Sequence, residues 1–420
     1  MDKLVIFGGR PLNGEVRVSG AKNSVLPILA ATLLTDEPCV IKNAPYLRDT
    51  NTMLRILRSL GKNAEFSNDK IHVTTRESDK FIADYRLVST MRASFCVLGP
   101  LLGKLKKAKV SYPGGCVIGI RPVDLHLKGI EALGAEVKIE SGYVNTQAKN
   151  LKGNHIYLGG EFGSSVLATD NVMMAATLAK GKTIIEAAAC EPEVTDLANF
   201  LVKMGAKIKG QGSPRIEIEG VKQLHGAEYS IIPDRIEAGT FMLAAAITKG
   251  QITIKGVIWE HLLALIDKLE QAGVKIKKID GKLIVNGKRR LKPVNATTLP
   301  YPGFPTDLQA QFMTLMAVTP GASIISEKIY PDRFMHIAEL NRMGANIKRE
   351  GPHAIVQGVK LLSGAPLMAS DLRASAALVL AGLVARGKTE ISRIYHLDRG
   401  YENLEVKLNK LGAKIHREKE

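Results

Sequence analysis

Six times along this chain an amphipathic helix ends in a glycine and a short alternating strand begins. The glycines are Gly61, Gly134, Gly205, Gly273, Gly344 and Gly412, in flanks such as Leu133-Gly134-Ala135-Glu136-Val137 and Leu411-Gly412-Ala413-Lys414-Ile415. Their spacing is about 70 residues, longer than the ~20–50 of common solenoids. Glycine just past a helix end supplies a left-handed turn at low steric cost. The change of period from about 3.6 to 2 marks helix passing into strand. The helix before the glycine is readable over 124–132, 193–203, 333–342 and 401–410. An earlier, more apolar helix is expected in every unit, over 25–34, 93–102, 172–179, 239–248, 310–318 and 374–385. Such Ala-, Leu- and Met-rich helices are expected to be buried nearly all round. Six units divide into two groups of three. This predicts an α/β (α+β) chain of two pseudo-symmetric lobes, each with three helix-and-strand repeats around buried helices.

A chain of 420 residues with 45% hydrophobic and 24% charged residues can fill two such cores. No apolar run approaches the ~20 residues of a membrane span, and the stretch after Met1 is too short for a secretory signal. A cytoplasmic location without membrane insertion is expected. Cys39, Cys96, Cys116 and Cys190 are scattered, without the spacing of a zinc site or a disulfide scaffold. A reducing compartment fits, and no metal site is expected. The net charge of +17 would suit a nucleic-acid binder, but such surfaces interleave aromatics with the cations. Aromatics are only 5% here, and the lysines, as in Lys104-Leu105-Lys106-Lys107 and Lys275-Ile276-Lys277-Lys278, are spread along the chain. A positive field that gathers small anions is the preferred reading, with no nucleic-acid partner.

Chemistry-bearing segments fall at the starts of the apolar helices. Ser19-Gly20-Ala21-Lys22-Asn23-Ser24, Ser89-Thr90-Met91-Arg92-Ala93-Ser94 and Asp371-Leu372-Arg373-Ala374-Ser375 each put a cation beside small residues. Helix N-termini expose unpaired N–H groups and favour anions. One arginine there would be an ordinary solvated charge; its recurrence at matching positions points to a shared anion site. The sharpest segment is Pro113-Gly114-Gly115-Cys116-Val117-Ile118-Gly119-Ile120-Arg121-Pro122-Val123-Asp124-Leu125-His126. A guanidinium near a thiol favours the reactive thiolate. Free cysteines are more often buried small hydrophobes. That reading suits Cys39 and Cys96, which lie in apolar stretches, but not Cys116; Cys190, before Glu191-Pro192-Glu193, admits either.

Around Lys22, Arg92, Cys116, Asp307, Arg333, Asp371 and Arg399 the chain resembles the UDP-N-acetylglucosamine enolpyruvyl transferases, over essentially its whole length. The Pro-Gly-Gly-Cys to Leu-His run is the most specific part. The resemblance implies a two-lobed inside-out α/β barrel. Residues 22–232 would form the lobe with the Cys116 lid loop. Residues 1–21 plus 233–420 would form the lobe with Asp307, Arg333, Arg373 and Arg399. It implies transfer of the enolpyruvyl group of phosphoenolpyruvate to the sugar 3-hydroxyl of UDP-N-acetylglucosamine, with release of phosphate. It further implies no bound cofactor and alkylation of Cys116 by the epoxide fosfomycin; the sequence leaves the oligomeric state open, with a monomer favoured.

Residue roles follow from the same resemblance. Cys116 would donate the proton and Asp307 would be the base at the sugar hydroxyl, although an Asp there is also a good helix N-cap. Lys22, Arg121 and Arg399 would hold the phosphate, and Arg333 and Arg373 the carboxylate. Arg92 would support the substrate phosphates. Asn23, also near phosphoenolpyruvate, and the Ile329 backbone would meet the sugar. Arg121, Pro122, Val123, Asp124 and Leu125 would wall the uridine pocket, and Gly163, Ser164, Ser165 and Val166 would face the diphosphate. The third repeat departs from the family by reading Ser165-Val166-Leu167-Ala168-Thr169, with Leu167 in place of glycine. A side chain there would stand where backbone approaches the nucleotide, which keeps another nucleotide sugar open as the acceptor. The shikimate-pathway enolpyruvyl transferases lack the Pro-Gly-Gly-Cys lid and fit less well.

Overall fold

The computed structural model describes residues 2–113 and 123–420. By their internal packing the described residues form two units, one of 2–19 and 233–420 and one of 20–113 and 123–232. Each has its own contiguous apolar core, one drawn from Ala21 to Ile231, the other from Leu4 to Val18 and Ile236 to Ile415.

All six repeat glycines adopt positive φ, between 88° and 103°. After Gly205, for example, the Ala206 N–H reaches back to the Leu201 carbonyl at 2.9 Å, and Ala345 does the same to Leu340 at 3.1 Å. This reach-back closes the helix and releases the chain directly into a strand. The strand then pairs with the hairpin partner that follows it, as Glu136–Glu140 pairs with Tyr143–Gln147.

The same sheet is built six times among the described residues: a four-stranded open sheet in which one short strand runs parallel to its neighbour and the other pairs are antiparallel. In the unit of 20–232, one sheet reads Ile82–Ala83, Lys107–Ser111, Tyr143–Gln147 and Glu136–Glu140 across its width. In the other unit, Ala296–Thr297, Ala322–Ser326, His353–Gln357 and Asn346–Glu350 repeat the order. None closes into a barrel. Their strands alternate buried and exposed residues, so each presents one face to a core and one to solvent.

The apolar helices lie inside. Every residue of Gln309–Ala317 is buried, as is every residue from Ile236 to Ile247. Helices Leu98–Leu105 and Val166–Ala176 approach so closely that a Cβ on Gly99 would fall 2.1 Å from the Asn171 carbonyl oxygen. Asn171 fills the contact, accepting from the Gly99 N–H and donating to the Phe95 carbonyl and His126 Nδ1. Several helices begin elsewhere than the sequence pattern suggests; Leu98–Leu105 follows the short helix Arg92–Val97, and Arg235–Ile247 starts four residues early. Val166–Ala176 starts six residues early because Ser165 caps it, and its polar Thr169-Asp170-Asn171 run is buried against neighbours. His336–Arg342 starts after Arg333, whose backbone closes a turn on Tyr330. Leu404–Lys410 starts after Asn403, which is left-handed at φ 49°.

Asp196, 1% exposed on the helix Pro192–Lys203, accepts from the Tyr229 hydroxyl at 2.6 Å and the Ile232 N–H. Burial pushes its carboxyl up to about 6 despite those donors. A raised folded-state pKa gives stability that is present below the ordinary carboxylate range and lost as pH rises through about 6. Asp196→Asn should therefore flatten the slope of thermal stability against pH between about 4 and 7. The difference amounts to on the order of 3 kcal/mol across that range. An unchanged slope in melts across that range would contradict the assignment.

Candidate active site

In the unit of 233–420, three predicted residues meet directly. Asp307 lies in the short helical turn Thr306–Leu308 that leads into the buried helix Gln309–Ala317. Its Oδ1 is 2.8 Å from Arg333 Nη1 and its Oδ2 is 2.8 Å from Arg373 Nη2. The Arg373 side chain is 2% exposed and that of Arg333 7%. Both guanidiniums thus share one carboxylate as a direct ion-pair partner. Burial alone would push the Asp307 carboxyl up, but Arg373 and Arg333 outweigh it and hold it well below the usual carboxylate range. Arg373 owes its position to Asp371, which caps the helix Leu372–Val384 by accepting from the Arg373 and Ala374 N–H groups. Its guanidinium also lies over the Tyr401 ring, 5.5 Å from the centroid. Asp307 is a charge partner rather than the side-chain cap of the following helix.

Arg399 ends the short helix Ile394–Arg399, which packs on the helix that carries Arg373. Ile329 is half-buried just past the strand Ala322–Ser326. Its N–H donates to the buried Glu327 carboxylate at 2.9 Å.

In the unit of 20–232, Lys22 and Asn23 open the helix Lys22–Ala31, and Arg92 opens the short helix Arg92–Val97 packed against it. Lys22 Nζ is 3.0 Å from Asp49 Oδ2, with both side chains largely buried. Val123 is buried, Asp124 begins the helix Asp124–Ala132, and Leu125 lies beside Gly160. Gly163 and Ser164 pair with Gly159 and Gly160 in a tight hairpin, with Gly163 at φ 95°. Ser165 and Val166 then start the next helix. Leu167, the departure noted in the sequence, is half-buried and packs against the core. Cys116, Arg121 and Pro122 lie outside the described residues.

Sequence reasoning missed Asp49, Thr306 and Glu327. Asp49 stands in the first turn of Arg48–Ser59, where an acidic residue is unremarkable. Glu327 left a clearer trace. It continues the inward phase of Ser323 and Ile325, so a charged residue falls on the core face.

The chain matches the family model for EPSP synthase (3-phosphoshikimate 1-carboxyvinyltransferase) over residues 6–408. It is 55% identical over 415 residues to UDP-N-acetylglucosamine 1-carboxyvinyltransferase 1 of Caldanaerobacter subterraneus, covering 99% of each chain. It is also 55% identical over 420 residues to the UDP-N-acetylglucosamine 1-carboxyvinyltransferase of Geotalea uraniireducens, covering 100% of each. Among solved structures, the enolpyruvyl transferase NikO from Streptomyces tendae superposes with a TM-score of 0.90 at 26% identity, over 99% of this chain and 98% of that one. EPSP synthase from Acinetobacter baumannii shares the fold, with a TM-score of 0.76 at 18% identity over the full length of both. The chain belongs to the enolpyruvyl transferase family and, within it, to the UDP-N-acetylglucosamine 1-carboxyvinyltransferases.

Proposed function

We propose that this transferase moves the enolpyruvyl group of phosphoenolpyruvate to the 3-hydroxyl of UDP-N-acetylglucosamine, the first committed step of peptidoglycan synthesis, in the cytoplasm. The observation that carries the reading is the Asp307 carboxylate clamped between two buried guanidiniums. Buried arginines in this arrangement form a receptor for a planar anion, and the Asp307 carboxylate is one such anion. The carboxylate of phosphoenolpyruvate competes for the same guanidiniums. As they turn to the substrate, Asp307 loses counter-charge and its pKa rises towards that of a useful base.

In the addition step, Asp307 accepts the proton of the sugar hydroxyl and the oxygen bonds to C2 of phosphoenolpyruvate. Cys116 delivers a proton to the methylene carbon. In the elimination step the Cys116 thiolate takes a proton back from the new methyl group, the carbon–carbon double bond re-forms as the C2–O bond to phosphate breaks, and inorganic phosphate departs with the proton that Asp307 had accepted. Lys22, Arg121 and Arg399 hold that phosphate, and Arg92 supports the substrate phosphates. Asn23 and the Ile329 backbone meet the sugar, Arg121 to Leu125 wall the uridine, and Gly163 to Val166 face the diphosphate. The positive net charge, +17, raises the local concentration of both anionic substrates.

Mixing the protein with phosphoenolpyruvate and UDP-N-acetylglucosamine should release one phosphate per sugar consumed, read colorimetrically and by mass of the product. Release only with a different nucleotide sugar would reassign the acceptor. Silence with every nucleotide sugar tried would overturn the reading.

A further inference from the structure

Behind the Asp307 clamp sits a second carboxylate with a different environment. Glu327 is fully buried, and among the described residues no cation lies within ion-pair reach of it. Four neutral donors satisfy it instead. Oε1 accepts from the Thr298 hydroxyl at 2.6 Å and from the Ile329 and Tyr330 N–H groups at 2.9 and 3.0 Å. Oε2 accepts from the Thr306 hydroxyl at 2.9 Å. Thr306 Oγ1 in turn accepts from Arg333 Nη1 at 3.0 Å, the same nitrogen that reaches Asp307 Oδ1.

We infer that Glu327 is a positioning residue whose carboxylate, through the Thr306 hydroxyl, aims Arg333 at its anion and at the same time fixes the Ile329 backbone. The inference rests on the reaction proposed above, in which Arg333 serves phosphoenolpyruvate and Ile329 the sugar.

Hydrogen-bond polarity couples these groups. A hydroxyl has a single proton. An ionised carboxylate only accepts, so Thr306 must spend that proton on Glu327 and present its lone pairs to Arg333. An amide in place of the carboxylate offers N–H groups on one side. Turned towards Thr306, it would donate to the hydroxyl oxygen and swing the Thr306 proton towards Arg333, donor against donor. Turned the other way, it would face the two backbone N–H groups with donors of its own. Either orientation breaks one of the two functions that a carboxylate serves together, and buried unmatched donors are costly.

The test uses steady-state kinetics of the full-length protein with both substrates. Thr306→Val removes the relay and leaves Glu327 with its backbone partners. It should raise KM for phosphoenolpyruvate about tenfold or more while changing KM for the nucleotide sugar by less than about threefold. Thr306→Ser keeps the hydroxyl and should stay within about threefold of wild type for both. Glu327→Gln should raise both KM values, and adding Thr306→Val to it should produce little further rise for phosphoenolpyruvate, because both changes cut one chain of bonds. If Glu327→Gln fails to fold, the Val and Ser pair still decides. A normal KM for phosphoenolpyruvate in Thr306→Val, or a Ser variant no better than Val, overturns the inference. Inactivity of the wild-type protein would instead strike the proposed reaction.

Discussion

Asp307→Asn should lower kcat by about 10²–10⁴, the range expected when a positioned general base is lost. It should also destabilise the protein, for a separate reason. Asp307 is the shared counter-charge of two guanidiniums whose side chains are 2% and 7% exposed. Removing one partner of a buried ion pair costs about 3–5 kcal/mol, because the remaining charges are left uncompensated. The two losses can be told apart by adding phosphoenolpyruvate, whose anionic groups replace the missing carboxylate at the arginines. The variant should therefore gain more in melting temperature from saturating phosphoenolpyruvate than wild type does. Its pH behaviour follows from the depressed pKa. The contribution of Asp307 to stability is present above the ordinary carboxylate range and lost as pH falls through its lower folded-state value. The gap in melting temperature between wild type and Asn should then be widest near neutrality and narrow in acid. In wild type, the acid limb of kcat/KM reports the clamped carboxyl of the free protein and should lie below the limb of kcat, which reports the carboxyl after substrate has drawn the arginines away. A variant with wild-type turnover, or limbs in the reverse order, would remove Asp307 from the role of base.

The repeat was legible in the chain because its signal is local. A glycine at each helix end, an apolar helix and an alternating strand are all short-range patterns, and the six left-handed glycines carry them into the structure. Helix starts were less legible where tertiary contacts compete with local pattern. Arg333 reads as the first turn of a helix, yet it is drawn out of that helix to meet Asp307. The cations at the starts of the apolar helices stood out by recurrence. Their partners did not, since Asp49 is 27 residues from Lys22 and Asp371 acts on Arg373 as a backbone cap. Thr306 and Glu327 form a hydrogen bond across 21 residues, and no spacing rule connects a turn to the end of the strand that follows the next helix. Only the inward phase of Glu327 was available in advance, and it marks a buried charge without naming what that charge holds.

Cys116→Ala should reduce turnover by at least about 10²–10⁴, because delivery of a proton to the methylene carbon has no substitute donor in the proposed reaction. Cys116→Asp should retain a part of it, since a carboxyl also delivers a proton. The other thiols provide the control for assigning reactivity. Cys39 and Cys96 are 1% and 0% exposed, and burial pushes both thiols up, so neither presents a thiolate at neutral pH. Cys190 is half-buried, and burial together with Glu191 also raises its thiol. The epoxide fosfomycin needs an accessible thiolate to open its ring by forming a carbon–sulfur bond. One mass equivalent should therefore appear on the native protein, mapped by peptide sequencing to Cys116 and absent from Cys116→Ala. A label on Cys39 or Cys96 in folded protein would contradict their burial, and undiminished turnover in the Ala variant would leave the thiol without a catalytic role.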